Sequence, residues 1–271
     1  MTMFKPMLKF LITGLLLGSA TLAQAGFTIA GTRVIYDEAD GETTVRLQHI
    51  KGEKPVLLQV WLDDGDPQAK PGTQDLPFVL TPPVSRVDPG NAQVIRIMRI
   101  RNDLPMDRES LFFFNALEVP PAAAAPTQPE ENRLYLAMQA RMKFFYRPKG
   151  LKPTPAQATD MLRFTLETAP DGQLQLHLRN PTPYHITVLN LALHAANAAA
   201  DATPLAKHRE TGLAPMVAPF SDLSVALDEL APNTSVAQLT TRRASSTEVH
   251  YTVINDQGGI NAKQATLDDA S

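Results

Sequence analysis

The 271-residue chain has no cysteine, one tryptophan (Trp61), and no long apolar run beyond its first few turns' worth of residues. Without cysteine there is no disulfide framework, so apolar cores must hold the fold together, and the length allows them. Without a second long apolar run, no membrane helix is expected downstream of the N-terminus. Lysine and arginine (25) roughly balance aspartate and glutamate (28) and never form a run, which argues against nucleic acid as a partner. The six histidines (His49, His177, His185, His194, His208, His250) lack paired metal-ligand spacing. A nucleophile turn, a phosphate loop and a dinucleotide fingerprint are all missing. Asp63-Asp64 with Asp66 is acidic but lacks the fuller pattern of a calcium loop, and reads as a solvated turn. Enzymatic activity, a metal site and a cofactor are therefore not expected.

The N-terminus carries a targeting pattern. Lys5 and Lys9 give a basic start, Phe10–Gly18 an apolar middle, and Ala23-Gln24-Ala25 a small-residue cleavage site. That order reads as a secretory signal peptide, residues 1–25, leaving Gly26 as the first residue of an exported, soluble chain. Loss of Lys5 and Lys9 moves the formal charge from −3 to −5.

Beyond Gly26, short runs of β-branched and aromatic residues alternate with Gly, Pro and Asp, and helical periodicity is almost absent. Strands are expected at Thr32–Tyr36, Thr43–His49, Pro55–Leu62, Phe78–Leu80, Ala92–Ile100 and the end of Leu104–Val119. After Pro148 the pattern restarts with Met161–Glu167, Gln173–Arg179, His185–Leu191, Leu223–Leu227, Ser235–Thr240 and Glu248–Ile254. This predicts an all-β protein of two sandwiches hinged near Lys149–Pro155, divided as residues 26–148 and 149–271. The alanine-rich stretch Leu191–His208 fits either a surface insertion or a short helix.

One stretch organises the rest. In NRLYLAMQARMKFFYRP (Asn132–Pro148), Leu134, Leu136, Met138, Ala140 and Met142 are apolar at every second position, with Gln139, Arg141 and Lys143 in the opposite phase. Strict alternation marks a β-strand with one face buried. An ordinary core strand fits it, and so does an edge strand offering alternate side chains to another protein.

Residues Leu104–Pro121 (LPMDRESLFFFNALEVPP) resemble the signature of the PapD-like periplasmic pilus chaperones of chaperone–usher pathways, with Ala116 where that family usually carries a larger aliphatic residue. Further blocks agree in order: Gly31–Tyr36, Thr81-Pro82-Pro83 with Arg86 and Asp88-Pro89-Gly90, Met142–Pro148, Asn180–Tyr184 and Ile254–Gly259. The resemblance implies two immunoglobulin-like β-sandwiches set at an angle around a cleft. It implies a periplasmic chaperone that caps pilus or fimbrial subunits by donor-strand complementation and delivers them to an outer-membrane usher. Leu134, Leu136 and Met138 match the family's donor-strand positions. Arg33 and Lys143 match the pair that anchors the subunit's C-terminal carboxylate. Glu109, Arg147 and Asp256 match a trio of ion pairs between the domains. Taken alone, these five would read as solvated strand or surface charges. Lys143 lies in the opposite phase from Leu134, and a bulge or strong twist between them is one way for both to serve one ligand. The short Pro120–Asn132 linker and the lack of cysteine resemble the short-loop branch of the family. A secreted structural or adhesive immunoglobulin-like protein is the competing reading, against which two complete domains and the absence of cysteine weigh.

Overall fold

The computed structural model describes residues 26–50, 54–121, 136–198, 202–209, 214–232, 234–241 and 246–268. The proposed signal peptide, Leu134 and most of the Pro120–Asn132 linker lie outside these residues. In chain order the first sandwich contains β1 (Phe27–Ile29), β2 (Arg33–Asp37), β3 (Glu42–His49), β4 (Val56–Asp63), β5 (Phe78–Thr81), β6 (Val84–Val87), β7 (Ala92–Arg99), β8 (Ser110–Val119) and β9 (Met138–Arg147). One layer has the order β1-β3-β7-β5 and the other β2-β9-β8-β4-β6. The second sandwich follows α1 (Pro155–Ala158). It comprises β10 (Arg163–Thr168), β11 (Leu174–Asn180), β12 (Ile186–Ala195), β13 (Ala206–Lys207), β14 (Met216–Val217), β15 (Ser221–Ala226), β16 (Glu229–Leu230), α2 (Val236–Thr240), β17 (Thr247–Ile254) and β18 (Ile260–Thr266). Its layers are β10-β11-β15 and β16-β13-β12-β17-β18, with β14 on β12.

Each sandwich closes on its own core, as period-2 alternation dictates. Leu47, Ile95, Ile97, Phe114, Phe144 and Tyr146 are fully buried in the first, and Phe164, Leu176, Leu178, Val188, Leu193 and Val249 in the second. Phe78 meets Phe112 and Phe144 edge-on, with centroids 5.3 and 5.2 Å apart.

Three expectations are corrected. Residues Ser235–Thr240 are not a strand. Ser235 caps α2, its hydroxyl accepting from Gln238 N while the Gln238 side chain accepts from Ser235 N, so a reciprocal capping box overrides the β-branched composition. The alanine-rich stretch begins as neither loop nor helix: Leu191–Ala195 continue β12 after a register shift between Leu189 and Ala192, where Asn190 has φ 47°. The organising strand, expected to include Leu136, is a strand only from Met138 among the described residues, with Leu136 just before it.

Phe144 enters the first core from β9 with no exposed surface. Phe144→Ala should lower stability by about 3–5 kcal/mol, read as a shift of the urea unfolding midpoint with little change in slope.

Candidate functional site

Two features of β9 position the site. Its backbone pairs with β8 along its whole length, Glu118 opposite Met138 through Ser110 opposite Tyr146, without a register break. On the other side it pairs in parallel with β2 over Lys143–Arg147 only, Arg33 opposite Lys143. Residues Met138–Met142 therefore have an edge with no strand partner among the described residues, which leaves backbone donors and acceptors free to pair with an added strand.

The unbroken register also fixes the faces. Met142, Phe144 and Tyr146 turn toward the first core, whereas Phe145 and Arg147 turn outward into the groove between the domains. No bulge separates Met138 from Lys143, so the two remain on opposite faces; the bulge considered from the sequence was between Leu134 and Lys143, and Leu134 lies outside the described residues. Leu136 and Met138 continue the core-facing phase past the end of the core and are 69% and 59% exposed. Beneath Met138 lies a small cavity of about 80 Å³ lined by Phe27, Ile29, Leu58 and Ala116. Ala116 is one of its walls.

The groove itself encloses about 360 Å³ and is lined from the first sandwich by Arg33, Ile35, Glu109, Phe145 and Arg147. Asp256, Ile254 and His185 close it from the second. Arg147 spans the two. Its Nε donates to Glu109 Oε1 at 2.9 Å, and Nη1 and Nη2 donate to Asp256 Oδ2 and Oδ1 at 2.8 and 2.9 Å. Glu109 Oε2 accepts the His185 backbone N–H at 2.8 Å, and Glu109 N–H donates to Pro183 O at 2.9 Å. Burial works against the Arg147 charge, but the hydrogen bonds to Asp256 and the field of Glu109 more than offset it and raise its pKa.

Arg33 lines this groove, and Lys143 stands opposite Arg33 on β9. Arg33 Nη1 donates to Ile254 O at 3.2 Å, and its guanidinium lies 5.7 Å from the centroid of Phe145. Its buried Nε has no hydrogen-bond partner. Neither side chain forms an ion pair among the described residues. Both are depressed in pKa, Lys143 by burial and then by the like charge of Arg33, and Arg33 by burial despite Asp256 and Glu109. Two adjacent, under-solvated cations without a counterion favour an incoming anion.

A third group escaped sequence reasoning. Asp63, taken there as part of a solvated turn, ends β4 with only 1% of its side chain exposed. Arg141 Nε and Nη2 donate to its two oxygens at 2.9 and 2.6 Å, Asn115 Nδ2 donates at 2.6 Å and Gly65 N–H at 2.8 Å. The alternation of β4 was the missed signal: Asp63 continues the phase of Trp61 and belongs to the strand, not the turn.

The chain matches the family model for pili and flagellar-assembly chaperones, PapD N-terminal domain, over residues 26–152. It matches the model for the C-terminal domain of the pili assembly chaperone PapD over residues 157–265. The chain belongs to the PapD family of pilus-assembly chaperones. It is 40% identical over 256 residues to the chaperone protein FimB/FhaD of Bordetella pertussis, covering 92% of this chain and 91% of that one. It is 38% identical over 244 residues to the probable fimbrial chaperone YadV of Escherichia coli, covering 90% of each. The crystal structure of YadV superposes with a TM-score of 0.65 at 35% identity, covering 90% of this chain and all of that one. That of the CupB2 chaperone of Pseudomonas aeruginosa gives 0.64 at 32%, covering 89% and 100%. These neighbours share the pair of immunoglobulin-like sandwiches found in this chaperone.

Two outcomes follow for the chaperone. Arg147→Ala strands the buried Glu109 carboxylate, whose side chain is 2% exposed. It should cost about 3–5 kcal/mol, and small-angle scattering should report a broader spread of interdomain distances. For Asp63, burial raises the pKa, but hydrogen bonds from Arg141, Asn115 and Gly65 outweigh it and hold the group below the usual aspartate range. A depressed carboxyl contributes stability above its unfolded pKa of about 3.9, and that contribution is lost as the pH falls through the lower folded value. Asp63→Asn should therefore flatten the decline of the urea midpoint below about pH 4.

Proposed function

We propose that this pilus-assembly chaperone acts in the periplasm by lending the free edge of β9 to a fimbrial subunit. It holds the subunit's C-terminal carboxylate between Arg33 and Lys143 until transfer to an outer-membrane usher. The observation that supports this reading is the coincidence, among the described residues, of a strand edge without a strand partner and two partly desolvated cations without an ion pair at its inner end. A subunit sandwich missing one strand exposes both an apolar groove and unpaired backbone. An added strand satisfies the backbone and offers Leu134, Leu136 and Met138 to the groove, each worth roughly 1.5–3 kcal/mol when fully buried. The unbroken register from Met138 to Lys143 fits a division of tasks by face, with the core-facing phase supplying the apolar donors and the opposite phase the anchor.

In this reading Glu109, Arg147 and Asp256 set the angle between the domains and so the shape of the groove. Residues 1–25 are the export signal, and 26–148 and 149–271 are the two domains. The short Pro120–Asn132 linker supports placing the chain in the short-loop branch. The strand contacts themselves supply the free energy for folding the subunit, and no nucleotide is required.

The test is co-expression with candidate subunits encoded nearby. Wild type should yield soluble one-to-one complexes. Arg33→Ala/Lys143→Ala should weaken capture by at least roughly 100-fold, the loss of two charge-assisted hydrogen bonds of about 1.5 kcal/mol or more each. Full capture by the double variant would remove the carboxylate anchor from this account.

A further inference from the structure

The outward face of β9 carries three cations: Arg141 and Lys143, two residues apart, and Arg147 four residues further on. Arg33 stands beside Lys143 on β2. All four can bind a carboxylate, yet they are not equally free to do so. Arg147 is occupied by Glu109 and Asp256. Arg141 is held bidentately by the buried Asp63, and its guanidinium lies flat against Phe113 at 3.6 Å from the ring centroid. Asn115 braces Asp63 from one side while accepting from Gln139 Nε2 at 2.8 Å, which ties the next outward residue of β9 into the same network. Lys143 and Arg33 alone form no ion pair among the described residues.

We propose that Asp63 is a register-determining residue: by neutralising Arg141 it leaves Arg33 and Lys143 as the single place where a subunit's terminal carboxylate can be held. This rests on the carboxylate-anchor reading and extends it to specificity. The physical hazard is particular to strands. A slip of two residues, about 6.6 Å along β9, restores every backbone hydrogen bond and keeps every side chain on the same face. Neither pairing nor alternation therefore penalises it. A free guanidinium at Arg141 would reward that slip with an equivalent ion pair, and each subunit side chain would then meet the wrong chaperone residue. A buried carboxylate committed to Arg141 removes the reward.

The experiment uses the chain from Gly26 onward, isotopically labelled, and a synthetic peptide of alternating valine and threonine ending in a free carboxylate. A spin label at the peptide's other end reports register by broadening signals along β9, and the amidated peptide is the control. In wild type the acid peptide should shift the Arg33 and Lys143 side-chain signals, leave those of Arg141 in place and give one broadening pattern. In Asp63→Asn the Arg141 signals should respond, and a second pattern displaced by two residues should appear. Asp63→Asn/Arg141→Gln should return to one pattern, a rescue that a merely stabilising role for Asp63 would not produce. Arg141→Gln alone should change affinity by less than about threefold, and the double variant, which removes both charges of the pair, keeps a test available if Asp63→Asn does not fold. A single pattern in Asp63→Asn, two patterns in the double variant, or a large loss of affinity in Arg141→Gln would overturn the proposal. Identical wild-type responses to acid and amide peptides would overturn the anchor reading itself.

Discussion

The parallel pairing of Arg33–Asp37 with Lys143–Arg147 is the contact on which the rest depends. It stops at Lys143. Everything on one side of that point is locked, with Phe144 and Tyr146 in the core and Phe145 and Arg147 against the second domain. On the other side Met138–Met142 keep an edge with no strand partner among the described residues. A strand paired on both sides along its whole length would be a core strand and nothing more. One open along its whole length would carry the general aggregation hazard of exposed strand edges. Partial pairing gives a rigid template with a defined inner end, and that end is where the two cations without counterions stand.

Burial sets the charge pattern around this point. Glu109 and Asp63 are both almost fully enclosed, Glu109 paired with Arg147 through its Nε hydrogen bond and Asp63 with Arg141 through two hydrogen bonds. A buried ion pair contributes little net stability, but breaking it is costly, so it acts as a geometric constraint. Here the Glu109–Arg147 pair is tied to the second sandwich through Asp256 and the His185 N–H, and the Asp63–Arg141 pair holds β4 to β9. The cations left over are partly desolvated: burial lowers the pKa of both, the like charge of Arg33 lowers that of Lys143 further, and for Arg33 the fields of Asp256 and Glu109 offset burial only in part.

Much of this was legible beforehand because strands advertise themselves by alternation. The phase of Leu136, Met138 and Met142 against Gln139, Arg141 and Lys143 already separates core face from outer face, and the ordered family blocks locate Arg33, Lys143, Glu109, Arg147 and Asp256. Where reading failed, local chemistry competed with pattern. Ser235 and Gln238 build a capping box inside a run that looked like a strand. Asp63 looked like the first residue of an acidic turn, because its partners Arg141 and Asn115 are 78 and 52 residues away in the chain.

The sequence by itself determined two all-β domains, the face each strand turns inward, and the residue types available for anchoring an anion, since all of these follow from period-2 alternation and local composition. Only the tertiary structure decided which cations are spent and which are free. Alternation reports the side a residue faces but not what stands across from it, and a charge's availability depends on whether a distant strand delivers a carboxylate to within hydrogen-bonding distance. For Arg141 and Arg147 it does; for Arg33 and Lys143, among the described residues, it does not.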